Sequence, residues 1–122
     1  MRNTVTLVSA ILLVCSPAIS SEICAKSPRL VGTCFVVHGR LMQTNGTPDA
    51  RIWRIGTKRI LGVVDAKGQA DTDDAVPERL GPWDRDLDGD FRVCPLTHER
   101  PGWMQMVCIA GWSKVVRARN SN

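Results

Sequence analysis

Hydrophobic and polar residues alternate with a period of two over several short segments of the chain. In the segment 33–41, Phe35, Val37 and Leu41 fall on one face and polar residues on the other, which is the pattern of a half-buried β-strand. Similar apolar runs lie at 50–55, 59–64, 89–96 and 103–112. Because no long amphipathic helical stretch follows residue 20, the pattern predicts an all-β domain.

Turn-forming residues separate these predicted strands. Asn45 and Gly46 form a strong hairpin signal, because both residues accept positive φ angles, and Pro48 prevents continuation of a central strand. The segment 65–82 is polar and lacks an apolar period, so we expect a loop there, with a short helical turn near 75–80. Short strands joined by close turns are typical of a β-sandwich or a small barrel.

The first twenty residues have the layout of a secretory signal peptide. Arg2 precedes an apolar stretch at 5–14, and the small residues Ala18 and Ser20 stand before a cut after Ser20. The apolar stretch is shorter than the roughly 20 residues that span a bilayer. A membrane anchor and a lipoprotein site at Cys15 are the alternatives, and Val14 stands where the second requires a small residue.

The predicted organisation therefore has one domain. We assign 1–20 to the signal peptide, 21–32 to an irregular lead-in, 33–116 to the β-domain and 117–122 to a flexible tail. No membrane span is expected after the signal is removed, and the predicted location is periplasmic or secreted.

The cysteine count supports export. The chain has five cysteines, and loss of Cys15 with the signal leaves Cys24, Cys34, Cys94 and Cys108, an even number that predicts two disulfides in an exported domain. Four cysteines allow three pairings. The runs around Cys94 and Cys108 could form one hairpin, which favours a Cys94–Cys108 bridge and leaves Cys24 with Cys34.

Charge narrows the partner class only slightly. The net charge is +4, from 16 basic and 12 acidic residues, and removal of Arg2 leaves about +3. This mild excess does not require a nucleic-acid partner, and no nucleic-acid-binding motif is present. Ser27, Thr97 and Ser113 have no recognisable catalytic partner spacing, so we predict that the protein is not an enzyme.

An acidic run is the candidate metal site. Asp84, Asp86, Asp88 and Asp90 alternate around Gly89, as in the first half of a calcium-binding loop, so these four aspartates are the possible ligands. Arg92 and Pro95 stand where the late ligands belong. The main interpretation is a turn that starts a strand, in which Asp88 and Asp90 bond backbone amides and Gly89 takes positive φ. A calcium site is the alternative.

A basic hairpin is the candidate binding surface. Trp53 is followed by Arg54, Lys58 and Arg59, and Trp and Arg are enriched at the energetic centres of protein interfaces. We therefore predict binding through Trp53, Arg54, Lys58 and Arg59. The alternative is that Trp53 and Trp103 are core residues and that the basic residues only solvate one face.

Five short motifs suggest a family. The stretches "HGRL", "NGTP", "ARIWRIG", "ILGVVD" and "DGDFRV" resemble the transthyretin-like and carboxypeptidase-regulatory-like β-sandwich group over residues 33–110. The chain also resembles small exported bacterial proteins of unassigned function. The resemblance implies a small antiparallel β-sandwich, transthyretin-like or Ig-like, that binds proteins or serves as an accessory domain, and it carries no catalytic residue onto this chain.

The functional prediction combines these points. We expect an exported, non-catalytic binding or accessory domain at the bacterial cell envelope, whose partner is a protein or an envelope polymer. No cofactor is expected, apart from calcium at the aspartate run. A calcium-stabilised accessory domain is the first alternative, and a small secreted enzyme or inhibitor with an unlocated site is the second.

Overall fold

The computed structural model describes residues 3–6, 9–11, 22–81 and 85–119. In this part of the chain most of the regular secondary structure is β-strand and helix is limited to two short segments, so the predicted all-β class is confirmed. The elements are α1 (Glu22–Ala25), β1 (Phe35–Gln43), β2 (Ala50–Arg54), β3 (Ile60–Val63), a 3₁₀ helix (Glu78–Leu80), β4 (Leu87–Pro95) and β5 (Met106–Arg117).

The five strands form one closed barrel in the order β1-β2-β3-β5-β4. All neighbours are antiparallel except β3 and β5, which run parallel. A closed five-stranded barrel describes the topology without assigning a function. The sandwich prediction is corrected accordingly, because the sheet closes on itself instead of forming two clearly separate layers.

The long strand β1 makes this closure possible. Its first part pairs with β4 and its second part with β2, and the two pairings overlap at residues 39–41. At Gly39 a Cβ atom would lie 2.5 Å from Cγ2 of Ile52 and 2.9 Å from the carbonyl oxygen of Trp53. Glycine therefore allows the close approach of β2 where β1 has a neighbour on both sides.

The barrel interior is filled by one side-chain set from all five strands. Phe91 and Leu41 are its largest members, and both are fully buried. Their neighbours include Val37, Ile52, Leu61, Val63, Val93 and Val107. Burial of this set supplies the main hydrophobic stabilisation of the fold.

A second apolar cluster lies on the outside of β4 and β5. It joins Cys24 of α1 to Cys94, Leu96, Cys108 and Ala110. Residues 107–111 of β5 are consequently buried on both faces. The helix α1 lies within the segment that was expected to be an irregular lead-in, and it covers this cluster.

The disulfide pairing predicted from the sequence is wrong, although the number of bridges is right. The bonds join Cys24 to Cys108 and Cys34 to Cys94. Cys94 and Cys108 do lie opposite each other on β4 and β5, as the hairpin argument requires. However, the β1–β4 pairing brings Cys34 to the other side of Cys94, with a Cα–Cα distance of 4.1 Å, and α1 brings Cys24 to Cys108.

A buried carboxylate organises the connection after β3. Burial raises the pKa of the Asp65 carboxyl, but the Gln69 N–H, the Thr72 hydroxyl and the Lys67 N–H donate hydrogen bonds to it and together lower the pKa below its ordinary value. The Ser27 hydroxyl bonds the adjacent carbonyl of Ala66. The polar segment after β3 is thus fixed against the barrel and the lead-in.

The two ends of the chain are only partly described. Strand β5 runs to Arg117, and the N–H of Ala118 donates to the carbonyl of Asp86, so strand pairing passes the predicted domain end at residue 116. The proposed cleavage position after Ser20 lies outside the described residues. Two disulfides indicate an oxidising, non-cytoplasmic location. No helix in the described parts of the chain is long and apolar enough to cross a membrane.

Candidate functional site

A groove of about 670 Å³ lies between the β2–β3 hairpin and the loop that joins β4 to β5. The hairpin and the loop each contribute charged side chains, and the loop contributes an aromatic ring. We call this surface the Trp103 groove, defined by Lys58, Arg59, Glu99, Arg100, Trp103 and Gln105.

The hairpin side of the groove is a compact turn. Gly56 takes a φ of +84°, and the Thr57 N–H and hydroxyl both donate to the carbonyl of Arg54. The indole N–H of Trp53 donates to the carbonyl oxygen of Thr57 at 2.7 Å. These bonds fix the turn that presents Lys58 to the groove.

The loop side is a reverse turn whose sequence explains its shape. In the stretch Arg100-Pro101-Gly102-Trp103, the N–H of Trp103 donates to the carbonyl of Arg100 at 3.1 Å, and Gly102 has a φ of +77°. Proline at the second position and glycine with positive φ at the third are the requirements of a type II turn. The turn leaves the Trp103 side chain 72% exposed, with the Arg100 guanidinium carbon 5.5 Å from its ring centre.

Arg59 ties the two sides together. Its guanidinium donates to the Glu99 carboxylate at 2.7 Å and to the side-chain oxygen of Gln105 at 2.5 Å. The Gln105 amide in turn donates to the carbonyl of Thr97 at 3.1 Å. Because these bonds span hairpin and loop, the groove walls are held in place before any ligand arrives.

The charge of the groove is positive. Three cations line it, Lys58, Arg59 and Arg100, against one carboxylate, Glu99. Glu99 is paired with Arg59, whereas no ion pair joins Lys58 or Arg100 to an acid in the described ranges. An excess of cations around a concave surface favours an anionic ligand.

The predicted binding residues divide into two pairs. Lys58 and Arg59 line the groove, while Trp53 and Arg54 do not. Trp53 lies half-buried on the outer face of β2, with the Arg40 guanidinium carbon 5.7 Å from its ring centre. Sequence reasoning missed Trp103, which it offered as a core residue. The Pro-Gly turn before Trp103 was the available signal that its side chain could leave the core.

Asp88 and Asp90 of the aspartate run lie on strand β4, not in the turn that the main interpretation expected. Asp88 and Asp90 project from β4 between buried neighbours and bond β1 side chains instead of backbone amides. The Arg40 guanidinium donates to both carboxylate oxygens of Asp88 at 2.7 and 3.1 Å, and Asp90 lies 2.9 Å from a ring nitrogen of His38. Gly89 is a strand residue whose φ is not positive, and a Cβ there would lie 2.8 Å from Val115.

Calcium binding by the aspartate run stays a prediction. Asp84 lies outside the described residues. Within residues 22–81 and 85–119, no group of three or more His, Cys, Asp or Glu side chains is arranged to hold a metal ion.

A second cleft, of about 610 Å³, lies between the β1–β2 turn and the segment 71–81. Its lining is acidic and includes Asp49, Asp71, Asp73 and Glu78. The N–H of Asp49 donates to the Asp71 carboxylate at 2.8 Å, and this bond is the main reason that the pKa of Asp71 is lowered. This bond holds the segment 71–81 against the β1–β2 turn of the barrel.

No family model, curated protein or solved structure matches the chain. The transthyretin-like resemblance therefore remains a prediction, and the function has to be argued from the groove itself.

Proposed function

We propose that the protein is an exported, non-catalytic binding domain at the cell envelope and that the Trp103 groove is its binding surface. The observation that carries this proposal is the 72% exposure of Trp103 on a fixed turn beside Arg100. Trp103 and Arg100 both line a concave surface, and Trp and Arg are enriched at the energetic centres of protein interfaces, which supports a binding role for this surface.

Export is supported by two independent features. The N-terminal segment has the composition of a signal peptide. Both disulfides join residues that are far apart in the sequence, with separations of 84 and 60 residues. Such bridges persist in the oxidising compartments outside the cytoplasm.

Binding is supported by the construction of the groove. Trp and Arg are the residue types that most often dominate binding energy. The bonds from Arg59 to Glu99 and Gln105 hold hairpin and loop together, which reduces the entropy lost when a ligand binds. The Glu99 carboxylate accepts a hydrogen bond from Arg59 that joins the loop to the hairpin. This structural contact favours a binding role for the groove over an acid–base role for Glu99.

The experiment is sedimentation of the purified protein with isolated bacterial envelopes. We expect Trp103→Ala to weaken binding at least about tenfold, the size of effect that defines a moderate hot spot. Trp103 is mostly exposed, so the melting temperature should change little. Val36→Ala is the control, because Val36 is also an exposed apolar residue and lies away from the groove. Equal binding by Trp103→Ala and the native protein would show that the groove is not the binding surface.

A further inference from the structure

We propose that the ligand of the Trp103 groove is an acidic polysaccharide, a glycan whose sugars carry carboxylate or phosphate groups. This inference rests on the proposed function and adds the chemical class of the ligand. It follows from three features of the described part of the chain: an exposed aromatic ring, two cations beside it that form no ion pair there, and the pairing of β3 on both sides at this position.

The Trp103 ring provides the stacking platform. Arg100 lies over one face of the ring at 5.5 Å, and the side chain as a whole remains 72% exposed. The π-face of an indole carries negative charge and attracts the weakly positive C–H groups on the flat side of a sugar ring. A single platform of this kind accommodates one sugar of a longer chain.

The cations provide the selectivity for acidic sugars. Lys58 on the hairpin and Arg100 on the loop line the same groove as Trp103. A guanidinium matches the two oxygens of a carboxylate or phosphate, and an ammonium acts as a point charge from a second direction. Glu99 would repel an anion, but Arg59 neutralises it at 2.7 Å. Together these groups fit a ring bearing an anion at its edge.

Nucleic acid fits the groove less well than a glycan does. Binding of single strands relies on several aromatic side chains that stack successive bases. Among the described residues, the groove lining contains one aromatic side chain, that of Trp103. The hairpin carries Trp53, which lies outside the groove lining. Its indole N–H donates to the carbonyl of Thr57 within the hairpin turn, and its ring lies against Arg40.

An extended acidic peptide also fits less well. Peptides that add to a sheet need an unpaired strand edge. Strand β3 at the groove is paired with β2 on one side, and on the other side the N–H groups of Gly62 and Val64 donate to Gln105 and Val107. The peptide backbone would therefore find no row of free donors and acceptors there.

The experiment compares soluble polymers by affinity gel electrophoresis and by tryptophan fluorescence titration. The acidic glycan probes are polygalacturonate, which carries carboxylates, and phosphomannan, which carries phosphates. Dextran is the neutral glycan. Poly-glutamate and oligo-dT are the acidic control polymers, because neither of them is a polysaccharide. We expect at least one acidic glycan to bind at least tenfold more tightly than dextran, poly-glutamate and oligo-dT.

The variants test both halves of the proposed contact. Trp103→Ala and Arg100→Glu should each weaken binding of the acidic glycan at least tenfold, and Trp103→Phe should retain most of it. Arg79→Glu is the matched control, since it makes the same charge change at an exposed residue outside the groove. Binding should also weaken as salt rises from 50 to 300 mM.

The outcomes separate this inference from the proposed function. If poly-glutamate or oligo-dT binds as tightly as the acidic glycans, or if dextran does, the inference is overturned. It is likewise overturned if neither acidic glycan binds while envelopes still bind in a Trp103-dependent way, and that result leaves the proposed function intact. The proposed function itself would be overturned if the native protein does not bind envelopes, or if Trp103→Ala binds them as tightly as the native protein does.

Discussion

Replacing Cys24 and Cys108 together with alanine removes the bridge between α1 and β5 and keeps the Cys34–Cys94 bridge. Both cysteines are buried in the cluster outside the barrel. Within residues 22–119 the double replacement leaves no unpaired cysteine, so the measured change reports the loss of the cross-link and of its packing. A single replacement, Cys108→Ala, tests the pairing that the sequence did not reveal.

The expected magnitude follows from the nesting of the two bridges. They span 84 and 60 residues, so once the inner bridge is closed the outer one closes an additional loop of only 24 residues. The chain-entropy relation gives about 3.5 kcal/mol at 25 °C for a loop of that length. For a domain of about 100 residues, such a loss lowers the melting temperature by on the order of 20 °C.

Two assays check this prediction. Urea unfolding followed by circular dichroism, without reductant, measures the change in free energy of unfolding. Alkylation of the single variant Cys108→Ala under denaturing, non-reducing conditions, followed by peptide mass spectrometry, locates the thiol that is left unpaired. The observed pairing predicts a label on Cys24. A label on Cys94, or a loss of less than about 1 kcal/mol in the double variant, would refute the reasoning.

The remaining predictions concern the core and the acidic pH range. Phe91→Ala should lower the free energy of unfolding by about 3–5 kcal/mol, because Phe91 is fully buried in the barrel, whereas the exposed Val36→Ala should stay within about 0.5 kcal/mol in the same urea experiment; equal effects would contradict the assignment of the core. The lowered pKa of Asp65 means that its ionised form stabilises the fold above the unfolded-state pKa and that this contribution is lost as pH falls through the folded-state value. The stability difference between the native protein and Asp65→Ala should therefore shrink as pH falls from 6 to 2, and a pH-independent difference would argue against the ionised carboxylate as its source.

The sequence predicted local structure well where alternation and turn chemistry act locally. The expected strands at 50–55 and 59–64 correspond to β2 and β3, and the expected helical turn near 75–80 corresponds to the 3₁₀ helix Glu78–Leu80. The alternation in β1 correctly placed Val37 and Leu41 inside. These features depend on side-chain period and on residues with special φ preferences.

Barrel closure and disulfide pairing depend on which strands meet, and alternation does not encode this. A sandwich and a barrel give the same inside–outside pattern along each strand. The parallel pairing of β3 with β5 involves only Gly62–Met106 and Val63–Val107, which leaves no recognisable trace in the sequence. Cys94 lies beside a cysteine on each side, so even the correct β4–β5 hairpin did not determine its bond.

Only the hairpin side of the candidate site was predicted from the sequence, because its other side comes from a distant loop. Lys58 and Arg59 were identified because they crowd one hairpin, and they do line the groove. Arg100 and Trp103 come from a loop 40 residues further along the chain, as the Arg59–Glu99 contact shows. The sequence offered a core position as the interpretation of Trp103, whereas the Pro-Gly turn before Trp103 governs the exposure of its side chain.

The most direct test of the groove as the binding surface is a nuclear magnetic resonance titration of the labelled protein with polygalacturonate and with solubilised envelope polymer. Each tryptophan indole N–H gives its own signal. We predict that the largest shifts occur at the Trp103 indole and at the backbone amides of Arg59 and Gln105, while the Trp53 indole, bonded to the Thr57 carbonyl, changes little. Shifts centred on the acidic cleft around Asp71, or the absence of any shift at Trp103 with both ligands, would contradict the account.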